Sequence, residues 1–156
     1  MPAVVKAIKR KGKTGFTLIE VLIVIVIIGI LSAVAIPMYI GQTINAKLTE
    51  VTNALSYAAT AVAIYHHEAV LNGAVHDWPD CGSIAEIQTS LGLGLPADRI
   101  SSASVDQATG VILFTIANID STVNGSTMTL TPSINPDSSV SWKWGGTILS
   151  RYLPKQ

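Results

Sequence analysis

One cysteine, Cys81, stands among 156 residues, so the chain cannot close a disulfide within itself. Charge is scarce too, at 13% of residues, and it is unevenly spread. The first fifteen residues contain no acid but hold Lys6, Lys9, Arg10, Lys11 and Lys13. Of ten cations in all, five therefore remain to face ten acids, so the zero formal charge conceals a mildly acidic body. That balance argues against general nucleic-acid binding. Between Glu20 and Lys47 there is no charge at all. No nucleophile stands beside a base in a recognisable pattern, which leaves no enzyme reading. No internal repeat or low-complexity segment is present, and no cofactor is called for.

What is present at the N-terminus is a long apolar run. Gly15-Phe16-Thr17-Leu18-Ile19-Glu20 leads directly into a segment of aliphatic residues that reaches Pro37. Its length of about 20 residues suits a membrane span, with the basic stretch before it as a cytoplasmic anchor. Glu20 is the anomaly. A carboxylate in a membrane-grade helix costs several kcal/mol unless it finds a partner, and it marks a functional site by default. No cation is near it on the apolar side, so its partner must be made by processing or supplied by another molecule.

These residues resemble the N-terminus of a type IV prepilin. The resemblance is dense from Lys13 to Pro37, looser to about Asn72, and beyond that rests on the order of elements. It implies that a membrane peptidase cuts between Gly15 and Phe16 and methylates the new amine of Phe16. It further implies that Glu20 neutralises the N-terminal amine of an adjacent subunit during assembly. Removing one member of a buried ion pair leaves an uncompensated charge, which agrees with that role. Gly29 and Pro37 weaken the helix between them. The resemblance implies loss of helical order there in assembled filaments; a simple kink is the alternative. The implied partners are further copies in a helical filament, a prepilin peptidase, the pilus assembly machinery and inner-membrane lipid before assembly. The implied location is the inner membrane, then an extracellular pilus. No DNA or surface receptor is singled out.

Rival readings of the same segment exist. A secretory signal peptide would use Ala33-Val34-Ala35 as its cleavage box, but Glu20 interrupts its apolar core and the run is too long. A type II secretion pseudopilin shares the N-terminal signature. An acidic, calcium-binding C-terminal loop would favour that reading, whereas Lys143, Arg151 and Lys155 make this end basic. A monomeric membrane-anchored binding module is the third possibility.

The expected fold is α+β: a long N-terminal helix packed against a four-stranded antiparallel sheet. The expected divisions are a leader at 1–15, a transmembrane or filament-core helix at 16–40, the amphipathic half of the helix at 41–72, and a connecting loop with the sheet head at 73–156. Ile44, Leu48, Val51, Leu55, Ala58, Val62, Tyr65 and Ala69 recur at alternating steps of four and three, which predicts one buried stripe. Asn45, Lys47, Glu50, Asn53 and Thr60 take the opposite face. Asn72-Gly73 predicts the helix stop, and Ser83-Ile84-Ala85-Glu86 a capping box opening a short helix to Leu91. Strands are expected over 100–105, 111–117, 127–134 and 140–144, with Gly110, Asn124-Gly125 and Asn135-Pro136-Asp137 in the turns.

Three further features have plain readings. His66, His67, His76, Asp77, Asp80 and Cys81 lie close in sequence but match no metal-ligand spacing, so no metal is assigned. Asn124-Gly125-Ser126 fits a glycosylation sequon and equally a turn. Pilins often close a C-terminal loop with a disulfide. Here Trp142-Lys143-Trp144-Gly145-Gly146 and the last five residues stand where those cysteines would be. Either packing and hydrogen bonds hold that end, or the pairing is lost to truncation.

Overall fold

The computed structural model describes residues 15–73 and 78–155. The basic residues at 6–13, together with His76 and Asp77, lie outside the described residues. Two compact units are present, dividing between Ile40 and Gly41.

Helix α1 runs from Leu18 to Leu71. It is continuous through Gly29 and Pro37, although many of the residues around them are β-branched and lower in helix propensity and Pro37 has no N–H to give the Ala33 carbonyl. Up to Ile40 its side chains are exposed, apart from a half-buried Ser32. The stretch is long and apolar enough to cross a membrane, and none of it is buried within the chain. So large an apolar surface is unfavourable in water, at about 25 cal/mol per Å². It needs lipid or other helices around it.

In the second unit α1 acquires a buried face. Ile44, Leu48, Val51, Leu55, Ala58 and Val62 are all buried, as the periodicity predicts, joined by Ala54 and Ala59. The stripe then departs from expectation. Tyr65 is 37% exposed, whereas His66 is 5% exposed and takes the inward position. At about 100° per residue, a step of three from Val62 swings a side chain about 60° off the stripe, while a step of four misses by about 40°. Trp78 supplies the partner that makes the histidine fit. The two rings stack with centroids 4.1 Å apart and planes 14° from parallel. The helix ends as predicted, with Gly73 at φ +88° and its N–H bonded to the Val70 carbonyl.

Helix α2 spans Ile84–Leu91, and the Ser83 side chain accepts from the Glu86 N–H. The Glu86 carboxylate reaches back one residue farther than a capping box requires, to the Gly82 N–H at 2.6 Å. Gly92 closes the helix in the left-handed region.

The sheet follows in simple order. Strands β1 (Ile100–Val105), β2 (Ile112–Ile116), β3 (Thr127–Ile134) and β4 (Val140–Gly146) pair antiparallel with their sequence neighbours. Alternation puts Ile112, Phe114, Ile116, Met128 and Leu130 into the core. In β1 the alternation slips: Ile100 and Ala103 are buried while Ser101 and Ser102 between them are both exposed. A register shift against β2 between Ile100 and Ser102 absorbs the extra residue as a bulge. Pro132 lies inside β3, opposite Trp142. It is tolerated because β2 pairs with β3 only as far as Leu130, which leaves Pro132 with a neighbour on one side alone. The predicted polar face of α1 contributes two ties: Glu50 meets Arg99 at 3.4 Å, and the Lys47 ammonium reaches the Ile119 carbonyl at 3.5 Å.

Hydrogen bonds and packing hold the C-terminal strand without a disulfide. β4 continues through Gly145 and Gly146, two residues beyond its predicted end, opposite Thr129 and Met128. Thr127 and Thr147 then exchange backbone and hydroxyl bonds, and Ile148 is buried. Gly146 carries the strain of this join. Its φ is +122°, and a Cβ there would run into the Thr127 carbonyl. Gly146→Ala should therefore destabilise the head by about 2 kcal/mol or more. Gly94→Ala, where a Cβ meets nothing within 4 Å, should be near neutral. Thermal unfolding of the full chain in detergent separates the two.

Cys81 is fully buried and bridges Val105 through its backbone. Burial pushes its thiol pKa up, with the Asp80 and Glu86 charges adding to the rise, so the reactive thiolate is disfavoured. The unfolding midpoint should be the same with and without reductant. A reductant-sensitive dimer on a denaturing gel would contradict this burial.

Candidate functional site

The chemistry of the N-terminal unit begins with the way α1 starts. Thr17 is its N-cap, and Glu20 is the third residue of the helix. The Thr17 hydroxyl accepts from the Glu20 N–H at 3.4 Å. In return, the Thr17 N–H and hydroxyl both donate to Glu20 Oε2, each at 2.8 Å. This is a reciprocal capping box, and it satisfies helix-end donors that have no intrahelical acceptor. The signal was legible as Thr-x-x-Glu, yet the sequence reading took Glu20 for its charge alone and missed Thr17.

The box holds the carboxylate at the head of the helix, where the macrodipole favours negative charge. Both side-chain bonds fall on Oε2, and Oε1 accepts none from any described residue. The site thus offers one constrained anionic oxygen and one open one. Phe16 is 86% exposed, and a Cβ at Gly15 would meet nothing within 4 Å. Both residues of the Gly15–Phe16 bond are exposed, and no described residue demands glycine there. Gly29 likewise has open space around it.

The other candidates separate. His66 is buried against Trp78, His67 and Asp80 are exposed, and Cys81 faces the core. Asn124 serves the turn that the sequon overlaps: its side-chain oxygen accepts from the Ile119 and Asp120 N–H groups at 2.9 and 3.3 Å. The stacked His66–Trp78 pair is a further element that sequence reasoning missed, because His66 was weighed as a metal ligand and nothing local pairs it with Trp78.

The N-terminal unit is an uncovered apolar helix headed by one carboxylate, long and apolar enough to cross a membrane, and the second unit carries a four-stranded antiparallel sheet. Comparison with known proteins agrees. Residues 45–156 match the family described as Pilin (bacterial filament), and residues 10–36 match the prokaryotic N-terminal methylation motif. The fimbrial protein EcpC of Eikenella corrodens is 32% identical over 148 residues, covering 93% of this chain and 90% of the relative. The type IV major pilin protein PilE of Neisseria gonorrhoeae is 30% identical over 131 residues, covering 84% of this chain and 73% of the relative. The type II secretion system core protein G of Pseudomonas aeruginosa is 37% identical over 57 residues, 36% of this chain and 40% of the relative. The chain belongs to the pilin family. It is a structural subunit of a pilus, with the long-helix and four-strand fold that its sequence led us to expect.

Proposed function

We propose that the chain is made as a precursor and enters the filament only after its leader, residues 1–15, is removed by a prepilin peptidase. The cut falls between Gly15 and Phe16, and the Phe16 amine is methylated. Residues 16–40 hold the processed chain in the inner membrane and later form the filament core. Residues 41–72 carry the head built from 73–156. Assembly machinery draws the subunit out of the membrane as the open oxygen of Glu20 meets the Phe16 ammonium of a neighbour. Gly29 and Pro37 give the core helix its place to yield. The assembled filament stands outside the cell and serves adhesion, motility or DNA uptake.

The observation that carries this reading is the Glu20 carboxylate, capped on one oxygen and open on the other, at the head of an uncovered apolar helix. An ammonium made at Phe16 supplies the missing cation without any change to the apolar run. Membrane insertion alone gives the carboxylate no partner, which weighs against a monomeric anchored module. The pseudopilin reading draws on the type II secretion relative, but that likeness covers 36% of this chain against 93% for the fimbrial protein.

Electron microscopy of material sheared from the cell surface, with identification of its subunit, tests the proposal. Long filaments containing this chain are expected. Short periplasmic fibres with none at the surface would favour the pseudopilin, and membrane-bound monomer alone would overturn both filament readings.

A further inference from the structure

The two ends of the head carry unlike surfaces. Towards the C-terminal end of α1, Ile64 and Leu71 are 55% and 72% exposed despite being apolar. With Glu68 and Asp137 they border an open groove of about 670 Å³ between α1 and the β3–β4 turn. The Ser139 hydroxyl and N–H donate to Asp137 at 2.6 and 3.1 Å and hold its carboxyl below the usual range. Asp137 is therefore charged at neutral pH. Neither Glu68 nor Asp137 forms an ion pair with a described residue.

The opposite end is basic. Residues 151–154 lie along α1 at Asn45, Leu48 and Thr52. Arg151 sits over the Tyr152 ring, 4.7 Å from its centre, and Leu149 beside it is 51% exposed. Arg151 and Lys155 are exposed and form no ion pair with a described residue. Each end thus pairs uncovered aliphatic surface with two unpaired charges, acidic at one end and basic at the other. At ~1.5 Å per residue, Glu68 lies roughly 30 Å beyond Leu48 along α1.

Complementary patches at opposite ends of one body cannot meet each other within that body. Between copies stacked in one direction, as in a filament, they make a heterologous contact, which repeats as an open helical array unless its rotation closes a ring, whereas an antiparallel two-fold pair would satisfy the same charges and stop at a dimer. We infer that the groove bordered by Glu68 and Asp137 docks the basic 149–155 segment of a second copy of this chain. The inference rests on the filament reading and adds to it a contact between heads, separate from the Glu20 contact between helices. Charge complementarity sets which end meets which, and the exposed Ile64, Leu71 and Leu149 supply the apolar burial.

The test is charge exchange in the full chain. Glu68→Lys with Asp137→Lys, and separately Arg151→Glu with Lys155→Glu, should each cut filament yield by about tenfold. The membrane level of processed protein is read beside it, because Asp137→Lys also removes the acceptor of the two Ser139 bonds; the fourfold variant carries the same loss and controls for it. All four substitutions together should restore filaments. A second measurement uses the burial of Cys81, which leaves introduced thiols as the reactive ones. A chain carrying both Leu71→Cys and Leu149→Cys should crosslink into a ladder of multimers in sheared filaments. A mixture of chains carrying one substitution each should give dimers only. Normal yield from either charge-reversed pair, failure of the fourfold variant to restore it, or absence of the ladder would each overturn the contact while leaving the filament reading standing. Normal filaments with impaired DNA uptake or adhesion would assign the basic end to an outside partner and also overturn it. If the unaltered chain forms no filaments, both readings fall.

Discussion

Glu20→Ala should insert into the membrane and lose its leader normally, yet build almost no filaments. Insertion depends on the apolar run, and alanine makes that run more apolar. Assembly depends on the carboxylate, because an incoming Phe16 ammonium would otherwise be carried unpaired into an apolar core. Breaking a buried ion pair costs roughly 3–5 kcal/mol, and in a polymer the cost recurs at every subunit added. The capping box complicates this variant, since Ala also removes the acceptor for the Thr17 N–H, and a lost cap is worth roughly 0.5–2 kcal/mol. Glu20→Gln separates the two effects. Glutamine serves a capping box as glutamate does but cannot neutralise an ammonium. If charge is the point, Gln fails like Ala, and Asp, which is charged but shorter, retains weak assembly. The readout is surface filament yield beside the membrane level of processed protein. Normal filaments from the Gln variant would reduce Glu20 to a helix cap.

Replacing Gly15 with a bulky residue should leave the leader attached and stop assembly altogether. No described residue lies within 4 Å of a Cβ at Gly15, and Gly15 lies outside both helix and sheet, so a loss of processing reports on fit within the peptidase and not on misfolding of the head. The uncut precursor keeps Lys6, Lys9, Arg10, Lys11 and Lys13 at the cytoplasmic face. Drawing five cations into an apolar core costs far more than any contact there returns. It also has no free amine at Phe16 for Glu20 to meet. Intact-mass analysis of the membrane-bound protein distinguishes precursor from product. A product beginning at Phe16 in the bulky variant would refute the assignment of the cut.

Much of the fold was legible because local signals agreed with one another. The four-and-three spacing from Ile44 to Val62, the Ser83 cap with Gly92 beyond it, and the turn residues around Gly110 and Gly125 each constrain the backbone independently of distant contacts. Where the reading slipped, a distant partner decided. His66 displaced Tyr65 from the buried stripe because Trp78, across a connection with no periodicity of its own, offers a flat face to stack on. The end of β4 was read too short because Gly145 and Gly146 look like a stop. Pairing with Thr129 and Met128, together with the Thr127–Thr147 exchange, instead carries the strand past them. The bulge at Ser101-Ser102 has no sequence signature, since two serines fit a strand edge as readily as a bulge.

The candidate site was half legible. Glu20 stood out because charge is so rare around it. Thr17 did not, since its role lies in a hydrogen bond that any helix start can make. The acidic groove at Glu68 and Asp137 was not legible at all. Its two carboxylates are far apart in the chain and border one groove only because the β3–β4 turn lies beside the end of α1.

The most direct measurement is the intact mass of the subunit released from sheared filaments of the unaltered chain, with sequencing of its N-terminal peptide. A chain beginning at Phe16, one methyl group heavier than the unmodified product, is expected, with no precursor in the filament fraction. A filament subunit that still carries residues 1–15, or one cut at Ala35, would contradict it, because the Glu20 carboxylate would then have no Phe16 amine to meet.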